Sequence, residues 1–174
     1  MGLLVLAYPK LSSADFQWIE AIRAEHNRAD FEIIRPHVSL VFETAIMTCD
    51  KLLEHMTPVA ASAQPFDLTF RAVMLMPGIV SAETFLFLVP DEGLSAAMLL
   101  LDRLYTGMLS SERRLDIPYI PHITIGRFDD PGACKALADD LMSQPIEIRA
   151  PVEAIELVEF GDGPIETLRR IPLG

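Results

Sequence analysis

The spacing of hydrophobic and polar residues changes along this chain, so that some segments are typical of strands and others of helices. Residues 3–8 form a short apolar run that ends at Pro9, which predicts a buried strand. A cap at Ser12 or Ser13 then predicts a helix that runs to about His26. Three of its side chains are expected to face the core: Phe16, Ile19 and Ile22.

The same kinds of pattern divide the rest of the chain. The predicted order is a loop over 27–36, a strand over 37–44, a helix over 49–56, a loop over 58–65, strands over 66–76 and 84–89, a helix over 94–109, a loop over 110–116, a strand over 119–128 and a helix over 132–142. Two last strands, over 152–160 and 166–171, are predicted to form a hairpin around the turn Gly161-Asp162-Gly163-Pro164.

The chain also repeats itself. Pro36-His37-Val38-Ser39-Leu40 and Pro121-His122-Ile123-Thr124-Ile125 share the order proline, histidine, β-branched apolar residue, hydroxyl and apolar residue, and 122 − 37 gives an offset of 85 residues. In both halves a helix and a loop precede this motif, and another helix follows it. A repeated unit of this kind predicts two pseudo-symmetric lobes, each with a sheet backed by helices, within a single domain over residues 1–174.

Each motif places an imidazole beside a hydroxyl. Since side chains alternate along a strand, His37 and Ser39 are expected on one face of their strand, and His122 and Thr124 on one face of theirs. Across a cleft, one imidazole can accept a proton while the other donates one, and the hydroxyls can donate hydrogen bonds to phosphate oxygens. The pattern therefore predicts in-line attack on a phosphodiester without a metal ion. A lone His-x-Ser is most often structural, but two copies at equivalent places in a repeat favour the catalytic interpretation.

Composition and charge exclude some classes of function. Of the 174 residues, 51% are hydrophobic and 22% are charged, which is typical of a globular protein. No apolar run approaches the roughly 18 residues that a membrane span needs, and residues 1–6 are too short for a signal peptide. The net charge of −11 argues against a long nucleic acid as partner. Two cysteines fit a reducing compartment, so we expect a cytoplasmic protein.

The paired motif, its spacing and its flanking elements resemble those of the 2H phosphoesterase superfamily, in particular its branch of 2′-5′ RNA ligases and cyclic phosphodiesterases. This resemblance covers almost the whole chain. It implies a bilobal α+β fold in which two antiparallel sheets line a central cleft and the helices pack outside. It also implies hydrolysis of 2′,3′-cyclic nucleotide phosphates to 2′-phosphates, or the making and breaking of 2′-5′ linkages. Catalytic roles are thereby implied for His37 and His122, and phosphate-binding roles for Ser39 and Thr124.

Three more residues near the motifs are candidates for substrate binding. By the same resemblance, Arg127 matches a basic residue that follows the second motif as H-x-T-x-x-R and helps neutralise the phosphate. Strict alternation puts Arg127 on the opposite face from His122, unless a bulge at Gly126 re-aims it. Phe42, the equivalent of Arg127 in the first half, could stack on a base, and Tyr119 could line the cleft. The alternatives are core packing for the two aromatic rings and a surface position for Arg127.

Three hypotheses of function follow. The first is a metal-independent phosphodiesterase that needs no cofactor and acts as a monomer on a small cyclic nucleotide or a short RNA end. The second is a nucleotide- or RNA-end-binding module without turnover. The third, in which the paired histidines bind a metal, lacks the carboxylate or third histidine that such sites usually have. Near symmetry leaves open which histidine is the base and which is the acid.

Overall fold

The computed structural model describes residues 2–79, 81–161 and 163–174. Asp162, in the turn predicted between the last two strands, lies outside the described residues. The strands of the described residues are β1 (Gly2–Ala7), β2 (Val38–Thr44), β3 (Phe66–Pro77), β4 (Thr84–Glu92), β5 (Ile123–Phe128), β6 (Ile148–Val152), β7 (Ala154–Phe160) and β8 (Glu166–Pro172). The helices are α1 (Ser13–His26), α2 (Arg28–Phe31), α3 (Cys49–Ala61), α4 (Leu94–Leu104) and α5 (Pro131–Met142), with a 3₁₀ helix over Gly107–Glu112.

The strands form two four-stranded antiparallel sheets. The first sheet has the order β2-β1-β7-β8, and the second has the order β5-β4-β3-β6. The two orders correspond strand by strand, with β2 matching β5, β1 matching β4, β7 matching β3 and β8 matching β6. Strand β3 follows the first motif along the chain but pairs in the second sheet, and β7 follows the second motif but pairs in the first. The α+β fold class with two pseudo-symmetric antiparallel sheets, predicted above, is confirmed.

One face of each sheet packs against the helices in a shared hydrophobic core. Among its buried residues are Val5 and Val41 of the first sheet, Leu86 and Leu88 of the second, Ile19 of α1 and Leu101 of α4. Burying one such aliphatic side chain stabilises the fold by about 1.5–3 kcal/mol. We call the opposite face of each sheet its site face. Directly paired residues share a face, and the site faces carry the pairs Leu6–Ser39 and Phe87–Thr124.

Two helix boundaries differ from the prediction. α3 continues through Pro58, where a loop was predicted, because its last turns bury Met56 and Ala60. That packing outweighs the hydrogen bond that proline removes. α4 ends at Leu104 and not at residue 109, because Gly107 adopts a left-handed conformation with φ of +55° and begins the 3₁₀ helix. In the part of the chain that the structure describes, no helix combines the length and apolar character needed to span a membrane.

The first helix begins at the predicted cap but buries a different set of residues. The Ser12 side chain accepts a hydrogen bond from the Asp15 N–H, as an N-cap does. Phe16 was expected in the core and is 39% exposed, because it lines a surface cavity at the start of the helix. The fully buried residues of α1 are Ile19 and Arg23, one turn apart. After α1, the segment predicted as a loop contains the four-residue helix α2.

Prolines account for two errors in the predicted strands. β5 begins at Ile123, four residues later than predicted, because Pro118 and Pro121 have no N–H to donate to a strand ladder. β6 was not predicted at all, since Pro151 interrupts its alternating sequence. It is nevertheless a strand, because it lies at the edge of the second sheet, where proline is tolerated.

Candidate active site

The two motif histidines have the same backbone setting. His37 lies directly before β2, and His122 lies directly before β5. The Nδ1 of His37 is 2.9 Å from the carbonyl oxygen of Arg35, and the Nδ1 of His122 is 2.6 Å from that of Ile120. A carbonyl only accepts hydrogen bonds, so Nδ1 donates its proton in both cases. Each neutral imidazole is therefore held in the tautomer whose Nε2 is a free acceptor.

The motif strands share a bulge that the sequence alone does not show. In β2 the register against β1 shifts between Ser39 and Val41, which leaves Leu40 as an extra residue. In β5 the register against β4 shifts between Thr124 and Gly126, which leaves Ile125 as the extra residue. Since 125 − 40 is again 85, the two bulges occupy equivalent positions. Both motifs therefore leave the regular alternation directly after their hydroxyl residue.

The bulge in β5 decides where Arg127 lies. Thr124 pairs with Phe87 and Arg127 pairs with Phe85, and these two phenylalanines alternate to the same face of β4. Arg127 and Thr124 therefore share the site face, which uninterrupted alternation would have prevented. Gly126 permits this close approach, since a Cβ there would lie 2.6 Å from the Phe128 ring.

A carboxylate holds the guanidinium of Arg127. Its Nε and Nη2 lie 2.5 and 2.7 Å from the two carboxylate oxygens of Glu83, in the bidentate arrangement typical of arginine and a carboxylate. The hydrogen bonds from Arg127 lower the pKa of Glu83, so both groups are charged at neutral pH. The structure thus places Arg127 on the site face, beside Phe85, but paired with an acidic partner.

The equivalent position in the first half is apolar and open. Phe42 follows the buried Val41 along β2, where the register against β1 shifts a second time, and it is 50% exposed. Its ring meets the ring of Tyr119 edge-on, with centroids 6.4 Å apart. Core packing, the alternative considered above for Phe42, is therefore wrong.

Tyr119 joins the second motif to the first. Its hydroxyl donates a 2.8 Å hydrogen bond to the carbonyl oxygen of Ser39 at the free edge of β2. Desolvation by burial raises the pKa of this phenol above its ordinary value, so it stays protonated and can donate. Three residues later along the chain comes His122. The bond therefore fixes the segment before the second histidine against the strand that carries the first hydroxyl.

Burial sets the protonation of both imidazoles. Desolvation lowers the pKa of His122 to about 4, its bond to the Ile120 carbonyl opposes that shift, and the charge of His37 lowers the pKa further. Phe87 supplies much of the shielding, because its ring stacks on His122 with centroids 3.5 Å apart and planes 13° from parallel. Desolvation also lowers the pKa of His37 below 6.5, against the bond to Arg35 O. Both imidazoles are therefore mostly neutral at neutral pH.

Three side chains of this site carry no signal in the sequence. Phe87 lies within a wholly apolar strand, and Glu83 lies in the turn before it. Tyr8, whose ring meets that of His37 edge-on at 6.2 Å, follows the first apolar strand. Only the pairing of strands brings these residues to the motifs. Among residues 2–79, 81–161 and 163–174, no three His, Cys, Asp or Glu side chains come together as a set of metal ligands.

Comparison with protein families places this geometry in a known group. The model of a family described as the 2′-5′ RNA ligase superfamily matches residues 9–164, a range that contains both motifs. The chain belongs to the 2′-5′ RNA ligase superfamily. The resemblance to 2H phosphoesterases that the paired motifs indicated is thereby confirmed. A comparison with curated proteins gives no match to this superfamily member.

Solved structures share the fold of this superfamily member over nearly its whole length. Escherichia coli LigT in its apo form is 20% identical, with a TM-score of 0.61, and the match covers 99% of this chain and 96% of that one. TT0787 of Thermus thermophilus is 19% identical, with a TM-score of 0.63 and coverages of 99% and 98%. Kluyveromyces marxianus Usb1 is 14% identical, with a TM-score of 0.52 and coverages of 98% and 97%.

Proposed function

We propose that this protein is a metal-independent phosphodiesterase that hydrolyses 2′,3′-cyclic nucleotide phosphates to 2′-phosphates by two-histidine acid–base catalysis. The observation that carries the proposal is the matched pair of imidazoles. Each has its Nδ1–H bound by a backbone carbonyl, so each offers Nε2 for proton transfer. Tyr119 fixes the second motif against the first strand, which supports a shared site for the pair.

In the proposed reaction His122 is the base and His37 is the acid. The pKa of His122, about 4 under the stacked Phe87 ring, keeps its Nε2 neutral and able to take a proton from water. The water oxygen then forms a bond to phosphorus while the bond from phosphorus to the ribose O3′ breaks. Protonated His37 gives its Nε2 proton to that oxygen, which leaves a 2′-phosphate and a free 3′-hydroxyl. The same step with a 5′-hydroxyl in place of water would form a 2′-5′ linkage, and its reverse would cleave one.

The remaining site residues are assigned to the phosphate and the base. Ser39 and Thr124 share the site faces with the histidines, and their hydroxyls donate hydrogen bonds to the non-bridging oxygens. Arg127 neutralises the phosphate once it exchanges Glu83 for a phosphate oxygen. The exposed ring of Phe42, met edge-on by the half-buried ring of Tyr119, is the surface on which a base stacks.

A small nucleotide or a short RNA end is the proposed substrate. LigT, which shares the fold, has been solved in complexes with 3′-AMP, with ATP and with NADP⁺. The net charge of −11 disfavours a long nucleic acid, whose binding rests on many basic contacts. We also propose a monomer, and a cytoplasmic location that fits its two free cysteines, Cys49 and Cys134.

The test is hydrolysis of a panel of 2′,3′-cyclic mononucleotides in the presence of EDTA. We expect turnover to a 2′-phosphate, and His37→Ala and His122→Ala should each lower kcat/KM by about 10²–10⁴-fold, as loss of a general acid or base does. His55→Gln is the matched control, because His55 bonds the carbonyl of Leu104 outside the motifs. Activity that survives both alanine substitutions would refute the proposal. Tight binding without turnover would favour a nucleotide-binding module, and loss of turnover in EDTA would favour a metalloenzyme.

A further inference from the structure

A cavity of about 550 Å³ lies beside His37 and plays no part in the mechanism above. It shares Tyr8, Arg35 and Pro36 with the surroundings of that histidine. The Arg35 guanidinium stacks on the Tyr8 ring, 3.8 Å from its centroid, and the same ring meets His37 edge-on. The cavity therefore begins one aromatic ring away from the proposed acid.

A row of paired residues connects the cavity with the phosphate site. Ser39 pairs with Leu6, Leu6 pairs with Glu156, and Glu156 pairs with Arg170 across the first sheet, so the four share its site face. Strands lie about 4.8 Å apart, which puts Glu156 on the order of 10 Å from Ser39. Glu156 and Arg170 both line the cavity. Leu6 is fully buried in a small cluster with Ile34 and Val158, so a ligand that reaches from the hydroxyl of Ser39 to the cavity passes over this cluster and spans roughly one nucleotide.

The charges of the cavity favour an anion. Three cations line it, Lys10, Arg35 and Arg170, against the carboxylates Glu153 and Glu156, which leaves a local excess of one positive charge. The whole chain, in contrast, carries a net charge of −11.

Glu156 orients the two arginines without using all of their hydrogen-bond donors. The carboxylate of Glu156 is 8% exposed and accepts a 2.8 Å hydrogen bond from the Thr167 hydroxyl. Arg35 and Arg170 approach it at 3.5 and 3.9 Å, which are long for direct ion pairs, and their side chains are about half exposed. Both side chains line the cavity, and a guanidinium has the fixed forked geometry that suits phosphate oxygens.

We propose that this cavity binds a second phosphate of the substrate, carried on the 5′ side of the reacting nucleotide and held by Arg35 and Arg170. The inference rests on the proposed function and names its substrate class more narrowly. The shared chemistry is a phosphate at the 5′ position, which is either a terminal 5′-phosphate of a mononucleotide or the internucleotide phosphate of a short RNA end. Glu156 acts as a positioning residue for the two guanidinium groups.

The test compares three substrates that end in the same 2′,3′-cyclic phosphate: the nucleoside form, its 5′-phosphorylated form and a dinucleotide. We expect the 5′-phosphate or the internucleotide phosphate to raise kcat/KM about tenfold, mainly through KM, and Arg170→Gln to remove most of that gain. Arg169→Gln is the matched control, since Arg169 pairs with Leu157 and lies on the opposite face of β8. Arg170→Lys, which keeps the charge, should restore part of the gain.

The outcomes separate the two proposals. A gain with only one of the two phosphorylated substrates identifies the source of the phosphate. Equal kcat/KM for all three substrates, or a gain that Arg170→Gln leaves intact, overturns the inference while the phosphodiesterase activity stands. If no cyclic phosphate is turned over, calorimetry with a nucleoside 5′-monophosphate still tests the cavity. Binding that weakens in Arg170→Gln and persists in Arg169→Gln supports it, and binding that neither substitution changes overturns it.

Discussion

The two halves of the site share their backbone and differ in their surroundings. Both histidines precede a motif strand and donate Nδ1–H to the carbonyl two residues earlier, and both strands bulge after their hydroxyl residue. His122, however, is covered by the stacked ring of Phe87, whereas His37 lies edge-on to Tyr8 beside a cationic cavity. The position after each bulge is apolar in one half, Phe42, and cationic in the other, Arg127.

This difference shows how two copies of one repeated unit can favour a single orientation of an asymmetric ligand. The common backbone offers two imidazoles and two hydroxyls to a group that is nearly symmetric, as a phosphate is. The unlike side chains around it give the imidazoles different neighbours, a stacked ring over His122 and an edge-on ring beside His37. In the proposed function they also distinguish the two ends of the nucleotide. We thus assign catalysis to the residues that the two halves share, and orientation of the substrate to the residues in which they differ.

The largest effect is expected from separating the halves. Residues 1–79 and 80–174, expressed apart, should each fail to fold, because the first sheet takes β7 and β8 from the second half and the second sheet takes β3 from the first. Amide NMR spectra should show narrow dispersion for each half and native dispersion when the two are mixed. A half that unfolds cooperatively alone would contradict our proposal that residues 1–174 form a single domain.

The shared hydroxyls should matter equally. Ser39→Ala and Thr124→Ala are each expected to lower kcat/KM by roughly 10²-fold, the effect of removing one hydrogen-bond donor to a charged transition state. Both residues lie on the site faces at the same point before their bulges. Thr124→Ser, which keeps the hydroxyl, should retain most activity. If only one of the two alanine variants is slow, the hydroxyls do not act as a matched pair.

The unlike positions should respond differently to substitution. Arg127→Gln is expected to lower kcat/KM by about tenfold or more, since a hydrogen bond from a charged group contributes about 1.5–3 kcal/mol. Phe42→Leu should cause a smaller loss that appears in KM, because it removes only a stacking surface. Glu83→Gln should lower KM by releasing Arg127 from its carboxylate partner. An unchanged KM in Glu83→Gln would show that the ion pair does not compete with substrate.

The smallest effect concerns the pH dependence of kcat/KM. His122 must be neutral to act as base, so activity should rise with pH through about 4, and His37 must be protonated to act as acid, so activity should fall as pH passes its pKa, which lies below 6.5. The expected profile is a bell with an acidic maximum. Phe87→Leu should raise the pKa of His122 toward 6.5 by admitting water, measurable by NMR titration of the imidazole. Phe85→Leu is the matched control.

Local patterns in the sequence were sufficient for the two lobes and the paired motifs, and the family resemblance added the antiparallel sheets. Proline, histidine and hydroxyl at a fixed spacing mark the two strands, and apolar periodicity finds most elements to within a few residues. The errors fall where packing overrides a local preference, as at Pro58 inside α3, or where an edge strand tolerates a proline, as at Pro151 in β6. The sequence allowed a bulge near Gly126, but only the register between β5 and β4 establishes it.

The sequence by itself determined the two imidazole–hydroxyl motifs and the supersecondary unit that repeats around them, because these depend on neighbours along the chain. The tertiary structure alone decided that β3 and β7 exchange sheets, that Phe87 covers His122, and that Glu83 holds Arg127. Those features depend on strand pairing between distant segments. A one-residue change of register would move every side chain of the shifted strand to the opposite face of its sheet. The physical reason is that an imidazole's protonation follows its burial, and burial is a property of the assembled sheets.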